Sequence, residues 1–147
     1  MLPRWHILFG VVFSTLVWLI FPETAWYNLT LIFFGAVFID FDHYMCAVYK
    51  TGKLSLSDAF EYHKSMQRRE EIQKKKGIFK KGNFHIFHTI EFHIIVLALG
   101  LLYLPFLFIF IGMVFHSLLD LADLTYRKEM YRREFFLVNW VRRKCFL

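Results

Sequence analysis

Four apolar stretches break up this chain, and Lys and Arg are confined to every second connection between them. The stretches run roughly from Trp5 to Phe21, Ala25 to Ile39, Phe84 to Leu104 and Phe106 to Leu124. The apolar character of the second continues past Asp40 to Tyr49. The chain has 147 residues, of which 57% are hydrophobic and 20% aromatic, including 19 Phe. A single soluble domain of this size has too little interior for so much apolar side chain. Lipid removes the difficulty, because apolar side chains can then face outward. The first, charge-free stretch is too long for a typical signal h-region and has no small-x-small cleavage site after it. It reads as an uncleaved anchor.

The net charge of +6 is distributed in blocks. The link from Lys50 to Gly82 carries ten Lys/Arg against four acidic residues, and the tail after Leu124 carries seven against two. The other two links carry only Glu23 and no charge at all. With four crossings, all basic segments and both termini lie on one side, which the positive-inside rule makes cytoplasmic. Basic blocks beside membrane spans read as contacts to anionic lipid, so nucleic acid is not expected as a partner. The predicted fold is therefore all-α: an integral membrane bundle of about four transmembrane helices over residues 1–124, with a cytoplasmic loop at 50–83. Residues 125–147 form a basic amphipathic tail read as an interfacial C-terminal helix. Within the loop, Ser55 or Ser57 caps a predicted helix over 58–76. Cys46 and Cys145 fall on the reducing side, so no disulfide is expected. The predicted location is a bacterial or archaeal cytoplasmic membrane, and a homo-oligomer is compatible with the sequence.

Ionisable side chains inside spanning segments are costly and usually functional. Here they form three groups: Asp40, Asp42 and His43; His85, His88, Glu91 and His93; and His116, Asp120 and Asp123. The topology puts all three at the cytoplasmic face, although they played no part in deriving it. His116, Asp120 and Asp123 step by four and three and share a helical face, as do Asp40 and His43. On a straight helix His93 points roughly 140° away from His88. Either the two serve different ions, or the helix begins after His88 and the earlier histidines lie on a bent lead-in.

Imidazole and carboxylate converging from several helices is how bundles build metal sites. The donor set suits a divalent metal, Zn first and Mn or Fe as alternatives, with room for one or two ions. Asp40, Asp42, His43, His85, His88, His93, His116 and Asp120 are the expected metal residues. Glu91 and Asp123 are the expected catalytic groups, acting as general base. His6 and His63 read instead as snorkelling or helix-capping residues.

The Asp-x-Asp-His of Asp40 to His43, the His-x4-His of His88 to His93 and the His-x3-Asp of His116 to Asp120 occur in an order that resembles the YdjM-like membrane-bound metal-dependent hydrolases. The resemblance covers roughly Gly35 to Asp123. It implies a small inner-membrane hydrolase whose polar site would comprise Asp40, Asp42, His43, His88, His93, His116 and Asp120. Thr89 and Phe92 stand where that family usually has Arg after its first helix-three histidine and Thr before its second. The functional expectation is a hydrolase acting at the cytoplasmic membrane face on a lipid or lipid-linked phosphoester. The alternatives are a non-enzymatic metal-binding membrane protein (a carrier or assembly factor) and a di-iron lipid oxygenase. The oxygenase would typically use adjacent His-His pairs, which the sequence lacks.

Overall fold

The computed structural model describes residues 3–146. Among them there is no strand. Seven helices follow in order: α1 (Pro3–Ile20), α2 (Trp26–Phe38), α3 (Phe41–Thr51), α4 (Leu56–Lys75), α5 (Ile90–Leu102), α6 (Leu104–Tyr126) and α7 (Leu137–Phe146). Short 3-10 turns at Ile86–His88 and Met130–Arg132 lead into α5 and out of α6. The all-α expectation is met.

Two stretches are long and apolar enough to cross a membrane: Trp26–Thr51, which joins α2 and α3, and Leu104–Tyr126. Arg4–Ile20 and Ile90–Leu102 are apolar but shorter, so length alone supports two of the four spans read from the sequence. α5 loses its expected first turns because Thr89 is extended and caps the helix, its hydroxyl accepting the Phe92 N–H at 3.3 Å. The bent lead-in is therefore the correct alternative for His85 and His88. The tail is also not one helix. It turns at Met130–Arg132 and becomes helical again only at Leu137.

α6 packs along α2 and α5, and α1 packs along α2. Glycine sets the closest of these approaches. A Cβ placed on Gly112 would stand 2.0 Å from the Ile32 carbonyl oxygen and 3.0 Å from the Gly35 Cα. One placed on Gly35 would stand 2.2 Å from the Ile109 oxygen. Only hydrogen fits at either position, so α2 and α6 touch backbone to backbone. Close approach through small residues is characteristic of helix packing in lipid.

Burial is inverted relative to a protein folded in water. Outside a small apolar core around Ile39, Val96 and Met113, the buried side chains include His6, Asp42, His88, His116 and Asp120. Large apolar side chains such as Ile20, Leu101 and Leu102 are exposed, the last at 85%. The buried polar groups gather at one end of the bundle, where the start of α1, the end of α2, the lead-in to α5 and the second half of α6 meet.

Candidate metal centre

The α2–α6 contact fixes the first histidine. His116 lies one turn beyond Gly112, and its Nδ1 donates to the Ala36 carbonyl at 2.7 Å. A carbonyl only accepts, so the proton of the neutral ring is on Nδ1 and the Nε2 lone pair points inward. His88 is fixed in the same way from the other side, with Nδ1 3.1 Å from Asp42 Oδ2. The same Asp42 oxygen accepts the Phe87 N–H at 3.0 Å, which locks the carboxylate to the lead-in turn. A histidine held at Nδ1 by a carboxylate or carbonyl, with Nε2 free, is how proteins orient metal ligands.

The two Nε2 atoms stand 3.3 Å apart. Asp40 Oδ1 lies 3.5 Å from that of His88 and 3.4 Å from that of His116. Asp120 Oδ2 lies 3.7 and 3.6 Å from the same two atoms. The two Nε2 atoms thus form a triangle of donors with each carboxylate, with edges of 3.3–3.7 Å. Metal–ligand bonds of ~2.0–2.2 Å give tetrahedral edges of roughly 3.3–3.6 Å. A divalent cation would neutralise several of these lone pairs at once, whereas a single proton satisfies one pair. The donor set therefore fits a divalent metal, and His88, His116, Asp40 and Asp120 are the residues that would hold it.

A second group adjoins the first. Asp42, His43 and His85 bring donor atoms within 4.8 Å of one another. Asp42 Oδ1 and His85 Nδ1 are buried 3.5 Å apart, and neither makes a hydrogen bond. The rings of His43 and His85 stack at 3.7 Å, and His43 Nε2 is 3.5 Å from Asp40 Oδ1. With side-chain exposures of 35% and 18%, His43 and Asp40 mark the side on which the cluster opens.

Seven of the eight expected metal residues are thus brought together. His93 is the exception. Its Nδ1 donates to the Thr89 carbonyl at 2.9 Å, and its Nε2 accepts from the Ser117 hydroxyl at 3.0 Å. With that lone pair taken, His93 pins α5 to α6 and belongs to no donor group among the described residues. The two expected catalytic carboxylates are also employed elsewhere. Glu91 accepts the backbone N–H groups of Leu137 and Val138 at 3.0 and 3.3 Å, capping α7. Asp123 pairs with the Arg127 Nε at 3.0 Å, one turn along. Neither belongs to any donor group among the described residues.

Two residues join the site that the sequence reading did not assign to it. His6 is buried at 1% exposure, its ring stacked on His116 at 3.9 Å. Arg133 donates from Nη1 to Asp120 Oδ2 at 2.8 Å. The available signal for His6 was topological, since the start of helix one shares the cytoplasmic face with the cluster. Arg133 had none beyond its place in a basic tail. His63 behaves as a structural residue, its Nε2 2.9 Å from the His43 carbonyl, tying α4 to α3.

Beside the centre, between α5 and α6, lies a cavity of about 310 Å³. Its walls are Ile94, Leu97, Phe110, Leu118 and other apolar residues, and its polar lining is His88, His93, Ser117 and Arg133. Comparison with models of known protein families, with characterised proteins and with solved structures finds no match to this chain.

Proposed function

We propose that this chain is a membrane-embedded, metal-dependent hydrolase of lipid or lipid-linked phosphoesters, working at the cytoplasmic face. One observation carries the reading: His88, a member of the donor cluster, and Arg133, bonded to Asp120, both line a largely apolar cavity. A hydrocarbon chain lying along Leu97, Phe110 and Leu118 puts its head group against a guanidinium and the donor cluster. Arg is suited to phosphate because its fork matches two oxygens at once. The membrane setting rests on the inverted burial together with the alternation of basic segments, read as four crossings with both termini inside. The shorter α1 and α5 are accommodated by local thinning and by aromatic anchors such as Trp5.

A divalent metal, Zn first by donor type, supplies Lewis-acid activation of water and neutralises charge on the phosphate. The chain's own residues do the rest. Asp42 and the Ala36 carbonyl hold the two imidazoles in register. Arg133 orients the phosphate. His43, at the open edge, accepts the proton as the water oxygen bonds to phosphorus and returns it to the leaving oxygen as the ester P–O bond breaks.

The test is a panel of phosphate-ester lipids in mixed micelles with purified protein, with and without chelator, in air and under anaerobic conditions. Chelator-sensitive release of phosphate or head group, independent of oxygen, is expected. Retained metal without turnover on any ester overturns the hydrolase reading in favour of a non-enzymatic metal protein. Turnover that needs oxygen and reductant overturns it in favour of an oxygenase.

A further inference from the structure

The carboxylates of Asp40 and Asp120 are each divided between two directions. Asp40 Oδ1 and Asp120 Oδ2 face His88 and His116. The other oxygens face His6, with Asp120 Oδ1 3.3 Å and Asp40 Oδ2 3.9 Å from its Nε2. His6 is an expensive residue to place there. It is 1% exposed, it comes from the otherwise apolar start of α1, and its Nε2 makes no aligned hydrogen bond. A buried polar atom without a partner costs on the order of 1–3 kcal/mol. A ring aimed at two carboxylate oxygens and bonded to neither is accounted for by a cation between them.

We infer that the centre is dinuclear, with a second divalent ion held by His6 Nε2, Asp120 Oδ1 and Asp40 Oδ2, so that both carboxylates bridge the pair. His6, Asp40 and His116 already bring donor atoms within 4.8 Å of one another. Among the described residues, the first position is completed by His88 and His116, and the second has His6 as its one terminal ligand. The second ion is therefore the more weakly held and keeps more open positions. Paired metals ~3.5–4 Å apart suit phosphoester chemistry, because the two charges divide between the attacking and leaving oxygens. This inference rests on the first ion position proposed above, and it adds a ligand and a stoichiometry to it.

The experiment is titration of the purified full chain and of His6→Gln with Mn²⁺. Bound metal is counted by mass spectrometry after desalting, and electron paramagnetic resonance reads the coupling between ions. The wild type is expected to bind two equivalents with an exchange-coupled spectrum. His6→Gln is expected to bind one, with the hyperfine pattern of an isolated ion. One uncoupled equivalent in both proteins overturns the second position and leaves the first intact. No bound ion in the wild type overturns both. Should His6→Gln lose its helical circular dichroism, wild-type stoichiometry and coupling decide the matter alone.

Discussion

Gly112→Ala places one methyl group at the tightest contact in the bundle, one turn of α6 before His116. The added Cβ would lie 2.0 Å from the Ile32 carbonyl oxygen and 2.8 Å from the Ala36 nitrogen. Ordinary C···O contact begins at roughly 3.3 Å, so α2 and α6 must part locally by about 1.3 Å. All the nearest atoms are backbone, so no side chain can rotate away. His116 lies one turn further along α6, on the same seam. A shift of that size would lengthen its 2.7 Å bond to the Ala36 carbonyl to roughly 4 Å, beyond hydrogen-bonding range. Overpacking of this kind costs about 1–3 kcal/mol of stability. Loss of the group that orients a ligating histidine costs about 10–100-fold in metal affinity. The assay is Zn²⁺ competition against a chromogenic chelator in detergent, with thermal unfolding alongside. Gly10→Ala is the control, because its Cβ meets side chains alone, the Phe33 ring at 3.3 Å and the Ala36 Cβ at 3.5 Å, and no backbone has to part. Affinity within twofold of wild type for Gly112→Ala would refute the claim that this helix contact sets the metal centre.

Asp42→Asn keeps the shape but weakens the carboxylate's hold on His88, so metal affinity should fall about 10–100-fold while some binding persists; unchanged affinity in the same competition assay would contradict that role. His116→Ala removes a buried ligand outright and should abolish binding at the first position, read as metal content after desalting. Because imidazole and carboxylate must shed protons to bind metal, affinity should rise with pH between about 5 and 7 and fall on acidification; a flat profile would argue against this donor set. Glu91→Gln should leave metal content and turnover near wild type but expose α7 to limited proteolysis, since it weakens a helix cap; a large loss of turnover with the tail still protected would restore Glu91 as a base.

Much of the centre was legible in the sequence because the ligands come in short helical spacings and the charge alternation says which helix ends are neighbours. Asp40 with His43, and His116 with Asp120, needed no more than that. The contacts that no spacing shows depend on where the tail returns. The role of Glu91 is set by Leu137 and Val138, and the partner of Asp120 is Arg133, both determined by how 127–136 folds back. No local pattern encodes that path. His6 was misjudged for a different reason. A single histidine in an apolar helix has no spaced partner, so its destination is visible only once α1 is placed against α6. His93 satisfies the expected motif, yet its Nε2 meets the Ser117 hydroxyl on the facing helix, a contact that no spacing within α5 reveals.

The returning tail is stitched to the site at several points. The Ile90 N–H donates to the Phe135 carbonyl, the Gly82 N–H to that of Arg132, and Lys81 Nζ to that of Arg133, while Arg133 itself reaches Asp120. Synthesis runs from the amino end, so every donor residue of the cluster is polymerised before this strap. A chain interrupted after Tyr126 would carry the complete donor set without the segment that closes over it.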